Sequence, residues 1–156
     1  MSQPAVDSPQ HRLLHAFMLA EYAVIVDGRE GIVRVSRSHR WLDRALGGQP
    51  WAIVTACNPA GRRLPPADNT VRHRQLTDLA RALGPCHRAC NRDPAGDWPD
   101  EPGVLLARIR IEPVDALARR FEQAAVVTGR AGQPACLRLY GDGWPDALPA
   151  CVESAD

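Results

Sequence analysis

The stretch Trp51 to Cys57, "WAIVTAC", is almost wholly apolar. A run this short with no polar alternation suits a strand buried on both faces, so any fold containing it must supply a layer on each side of the sheet. The chain has 156 residues, of which 45% are hydrophobic, enough for one compact domain with its own core.

The rest of the chain divides around that strand. Residues 1–10 read as a flexible leader, and "HRLLHAFMLAEY" (11 to 22) as a first helix. "YAVIV" and "GIVRVS" flank Asp27-Gly28, a hairpin signal. Ser36 or Ser38 caps an expected helix through Trp41 to Leu46, which Gly47-Gly48 stops. After the central strand, Asp68 or Asn69 opens a helix that closes at Gly84-Pro85. At 100° per residue, Leu76, Leu79, Ala80 and Leu83 share one face, and Asn69 and Arg72 begin the same stripe. "PCHRAC" reads as a short strand. "GVLLARIRI" reads as a long one, with Leu105, Ala107, Ile109 and Ile111 on one side. Pro113 stands in the first turn of a helix whose stripe is Val114, Leu117, Ala118 and Phe121. "AAVVTG" and "PACLRLY" close as strands, and 141–156 reads as an irregular tail. The expectation is an α/β chain of the α+β type: one globular domain over 11–140, a single mixed, largely antiparallel sheet covered by helices.

Composition narrows the function classes. The 19 basic residues are all arginine and the net charge is +1, so no general field draws nucleic acid or an anionic membrane. The arginine pairs, such as Arg62-Arg63 and Arg119-Arg120, lack interleaved aromatics and read as solvated faces. No apolar run reaches the roughly 20 residues that span a bilayer, and no signal peptide is legible. The expected setting is the bacterial cytoplasm, with the five cysteines reduced.

Polar residues gather at the ends of the central strand and the helix that follows it. Thr55, Asn58, Asn69 and Arg72 converge if the two elements pack side by side. A helix N-terminus beside an inward cation would then suit an anionic small molecule. The plainer alternative has the asparagines merely folding the loop and capping the helix. Glu101 reaches the same rim if the long strand runs antiparallel to "WAIVTAC". There it would face Arg72 as a catalytic acid/base, or else it is a surface carboxylate beside Asp97 and Asp100. Cys86-His87-x-x-Cys90 supplies one short-spaced ligand set where zinc needs two, so buried strand cysteines are the plainer account; a zinc-stabilised fold is the weakest reading. Cys57 beside His73 lacks any neighbour that would activate a thiolate. No metal or cofactor is expected.

"TACNP", "DN" before an R-x-x-x-L-x-x-L helix, "EP" before the long strand and "FEQAAVV" together resemble a small bacterial family, domain of unknown function 3293, over about residues 11 to 139. That family shows T-A-x-N-P, E-N, E-P-S and F-G-Q-x-A-x-V. The resemblance implies that Thr55, Asn58, Pro59, Asn69, Glu101 and Gln123 matter. It brings Gln123 into the ligand-binding set but implies no activity. This chain departs from the pattern at Cys57 (commonly aromatic), Asp68 (Glu), Gly103 (Ser) and Glu122 (Gly). The leading expectation is a polar pocket for a small anionic ligand, and an enzymatic one if Glu101 moves a proton there. The rival is a protein-interaction module using an edge strand or exposed Trp98 and Trp144.

Overall fold

The computed structural model describes residues 8–156. Most of the expected leader therefore lies outside the described residues, but its end does not. Ser8 accepts a hydrogen bond from the His11 amide and caps helix α1, Pro9–Leu19, with proline in the first turn. The helix ends three residues before Tyr22, because Glu21 already begins strand β1, Glu21–Val26.

β2, Arg29–Val33, returns from β1 through Asp27 and Gly28, both at positive φ, the backbone that a two-residue hairpin turn requires. Helix α2, Arg40–Ala45, follows. It starts after His39 rather than after either serine, and the imidazole Nε2 accepts from the Arg34 amide at 3.1 Å. β3, Trp51–Thr55, is buried throughout, as its composition demands. A 3-10 turn at Pro59–Gly61 leads to α3, Pro66–Leu83. Then come β4, Cys86–Arg92, and β5, Glu101–Ala107. β5 stops short of the expected "RIRI" because Arg108 turns to φ 53. Leu105 and Ala107 consequently pack on one side of the sheet, and Ile109 and Ile111 on the other. α4, Ile111–Arg120, β6, Ala125–Gly129, and β7, Cys136–Leu139, follow. The tail contains a strand of its own, β8, Val152–Ser154, parallel to β7.

The eight strands form one sheet in the order β2-β1-β4-β5-β3-β6-β7-β8, antiparallel except for the last pair. This is the expected mixed, largely antiparallel sheet. Two cores flank it. Leu14 of α1, Leu42 of α2 and Leu46 at its end pack with Val24, Ile53, Leu105 and Leu137 on one face. Leu76 and Ala80 of α3 and Val114, Leu117 and Ala118 of α4 pack with Val54, Val104 and Leu106 on the other. The sheet curls toward α1: Ser36 donates to the Ala135 carbonyl and Ala135 to the Arg37 carbonyl, both at 2.8 Å, so segments from its two arms meet.

An ion-pair cluster that the sequence reading missed fastens α4 to the sheet. Arg138 on β7 donates to both carboxylate oxygens of Asp115 at 2.8 Å. Tyr140 donates its hydroxyl to the same carboxylate at 2.6 Å, and Glu153 of β8 accepts from Arg138 at 3.1 Å. The Arg138 guanidinium is the main cause holding the Asp115 carboxyl below its usual range.

Candidate functional site

β3 pairs with β5 so that Thr55 lies opposite Gly103. The antiparallel arrangement brings Glu101 to the rim where β3 ends. The expected convergence occurs there, through Asn58. Its backbone is left-handed, φ 49 and ψ 64, a conformation that asparagine tolerates better than most residues. Its amide N–H donates to Asn69 Oδ1 at 2.9 Å. Its side-chain oxygen accepts from Asn69 Nδ2 at 2.8 Å and from the Leu64 amide at 2.9 Å. Its Nδ2 donates to Glu101 Oε2 at 3.1 Å. Trp98 Nε1 donates to the other carboxylate oxygen, Oε1, at 3.0 Å.

Arg72, expected to hold an anionic group, and Asn69, expected to contact a ligand, both have partners within the protein. α3 begins at Pro66, so Asn69 sits inside the helix and its amide donates to the Pro65 carbonyl. It is not the helix cap, and its side chain is committed to Asn58. Arg72 points inward as the stripe required, but Nε donates to the Ala56 carbonyl at 2.7 Å and Nη2 to the Phe121 carbonyl. A guanidinium spent on two carbonyls is a clamp between β3 and α4, and it does not face Glu101.

Gln123 is placed by the stop of α4. Glu122 donates to Arg119 and Gln123 to Ala118, the bond pattern of a Schellman cap, with Glu122 at φ 53 in the left-handed position that glycine usually fills. The glycine of the family pattern is explained by that backbone. The cap turns Gln123 Nε2 toward the Cys57 and Phe121 carbonyls, each at 3.1 Å. Thr55 donates to the Pro102 carbonyl at 3.0 Å and accepts from the Cys57 amide at 3.1 Å. At Gly103 an added Cβ would meet the Val54 carbonyl oxygen at 2.6 Å. The serine of the family pattern therefore does not fit this backbone.

The cavity beside the cluster lies on the concave face, between α1 and the sheet, with a volume of about 120 Å³. Thr55, Asn58, Glu101 and Gln123 line it; Asn69 and Arg72 do not. Its apolar walls include Leu13, Phe17, Ile53, Val127 and Leu137. Sequence reasoning missed five polar members, Tyr22, Asn91, Arg92, Asp93 and Trp98. Register unites two of them with Glu101: Tyr22 pairs with Asn91 and Asn91 with Glu101, a row across β1, β4 and β5. Extending "PCHRAC" to Arg92 would have placed Asn91 there.

Burial raises the Glu101 carboxyl from 4.5 to about 7, against the hydrogen bonds from Trp98 and Asn58, which lower it. A carboxyl that takes up its proton more readily folded than unfolded stabilises the fold at low pH. That contribution is lost as pH rises from about 4.5 through 7. Glu101→Gln is expected to flatten the stability profile across this window, where the wild type loses up to about 3 kcal/mol. Urea melts at several pH values measure it, and parallel slopes in the two proteins would refute the assignment.

The remaining sequence candidates resolve on geometry. Cys86 and Cys90 stand four residues apart in an extended strand, roughly 13 Å along its axis, and His87 alternates to the other face. Among the described residues no group of three or more His, Cys, Asp or Glu side chains is placed to hold a metal. Burial pushes the Cys57 thiol up. His73 is pushed down by burial and then by Arg88, with its Nδ1 buried and unpartnered. Trp98 and Trp144 are half-buried rather than exposed: Arg63 stacks 4.4 Å above the Trp98 ring, and Trp144 donates to the Tyr140 carbonyl. No helix among the described residues is long and apolar enough to cross a membrane.

No curated protein and no solved structure matches the chain. Residues 54–126 match the model of the family described as Protein of unknown function (DUF3293). This segment is shorter than the motif resemblance covers; it includes the polar wall of the cavity apart from Tyr22, but not α1. Over that segment the chain is similar to the same family that its TACNP, DN, EP and FEQAAVV motifs resemble.

Proposed function

We propose that the chain binds a small organic molecule in the cavity between α1 and the sheet, with Glu101 as its polar anchor. What supports the reading is one observation: a carboxyl held near neutral titration stands at the wall of an otherwise mainly apolar cavity, the usual composition of a ligand site. Asn58 and Trp98 orient the carboxyl, while Asn69, Arg72 and Gln123 brace the loop that carries Asn58. Glu101 is also the group able to give or take a proton from a ligand near neutral pH. The expected anionic ligand is set aside, because Arg72 is committed elsewhere and Arg92 at the cavity's edge pairs with Glu30 at 3.1 Å.

A fragment screen by thermal shift tests the reading on wild type and on Ala125→Phe, which fills space beside β6. Fragments of about six to ten heavy atoms should stabilise the wild type and lose at least tenfold in affinity in the filled variant. Fragments that bind both proteins equally would place the site elsewhere.

A further inference from the structure

We infer that the cavity takes a small primary ammonium on a compact apolar body, seated between the Glu101 carboxylate and Asn91 Oδ1. The inference rests on the small-molecule reading above and names its ligand class.

It follows from which polar groups around the cavity are already used. Four of the donors are spent inside the protein. Tyr22 gives its hydroxyl to the Phe17 carbonyl at 2.8 Å. Thr55 gives its hydroxyl to Pro102, Trp98 its indole N–H to Glu101, and Gln123 its amide to Cys57 and Phe121. Acceptors remain. Asn91 Oδ1 is buried without a partner, and the register puts Asn91 beside Glu101. Each Glu101 oxygen receives one hydrogen bond, and an ionised carboxylate offers about four lone-pair sites in all. A buried acceptor without a donor is costly, and so is an unpaired buried carboxylate; a ligand rich in N–H groups removes both penalties at once.

Charge points the same way. Asp93 spends its carboxylate on the Ala95, Asp97 and Trp98 amides, and Arg92 is paired with Glu30. Neither cavity-lining carboxylate has an ion-pair partner among the described residues, and Glu101 is the one not taken up by backbone amides. The nearby Tyr22, Cys57 and Cys90 side chains are all held neutral by burial. The apolar walls and the volume of about 120 Å³ limit the body to about a benzene ring, the occupant known for an apolar cavity of similar volume.

Benzylammonium, benzyl alcohol and benzoate share one body and differ in the polar group, so NMR titration of the full chain at about pH 8, where Glu101 is ionised, separates the possibilities. The ammonium should bind at least about tenfold tighter than the alcohol, the yield of one charge-assisted hydrogen bond, and benzoate weakest. Glu101→Gln should erase that preference, and Asn91→Leu should reduce it with the fold intact. Alcohol or benzoate binding as tightly as the ammonium overturns the ligand class and leaves the small-molecule reading standing. If none of the three perturbs Phe17 or Trp98, both fall together.

Discussion

Replacing Asp115 with alanine is expected to lower the stability of the fold by about 3 to 5 kcal/mol, the usual result of stranding one partner of a buried ion pair. The side chains of Arg138 and Asp115 are 14% and 13% exposed, so the guanidinium left behind is poorly reached by water. Two N–H···O bonds from Arg138 and one from Tyr140 are lost together. Glu153 remains within 3.1 Å of Arg138, but its side chain is 54% exposed and compensates little in high dielectric. For a chain of this size the loss corresponds to a fall in melting temperature of roughly 6 to 20 °C. A double replacement, Asp115→Leu with Arg138→Met, should recover much of it, since removing both charges leaves no unpaired ion. Equilibrium denaturation of the single and double variants decides the matter. A single-variant loss below about 1 kcal/mol would mean that solvent screens the pair.

The second large effect is expected at Asn58. Asn58→Ala removes the acceptor of the Leu64 amide and Asn69 Nδ2 and the donor to Glu101. It also places alanine at φ 49. Hydrogen bonds contribute about 1 kcal/mol each, and the left-handed backbone costs alanine roughly another 1 kcal/mol, so a total of about 3 to 4 kcal/mol is expected. Asn58→Gly isolates the backbone share, because glycine adopts that φ without strain; it should be milder than alanine by about 1 kcal/mol. Glycine equal to or worse than alanine would show that conformation contributes nothing there. Freed of its Asn58 bond, the Glu101 carboxyl should titrate still higher, which pH-dependent NMR of its side chain reads directly.

These two clusters differ in how far the sequence disclosed them. Asn58, Asn69 and Glu101 were legible because strand and helix periodicity put the ends of "WAIVTAC", of the following helix and of the long strand at one rim. The role of Arg72 was not. Periodicity says which way a side chain points but cannot say that carbonyls of Ala56 and Phe121 will be waiting there. Asp115 and Arg138 escaped because an ion pair between a helix and a distant strand depends on sheet order, which no local pattern carries. The same holds for Asn91: its neighbours Tyr22 and Glu101 are set by register across three strands. Strand β8 was missed for another reason. Three residues in a proline-containing tail have no period to detect, and they are ordered by pairing with β7. The motifs shared with the family found Gln123 where physical reasoning passed over it, since its position follows from the way α4 stops.

The meeting of the sheet's two arms bears on how the protein behaves at high concentration. A strand edge with unpaired N–H and C=O groups is a template for another chain, and open sheets carry two such edges. Here the segment after β2 and the residue before β7 satisfy one another through Ser36, Arg37 and Ala135. β2 itself begins with the charged pair Arg29-Glu30, and β8 at the opposite margin extends over Val152–Ser154 alone. The curl that shapes the cavity thus also withholds a growing surface from neighbouring molecules, giving the open sheet much of the protection against strand-by-strand aggregation that closure gives a barrel.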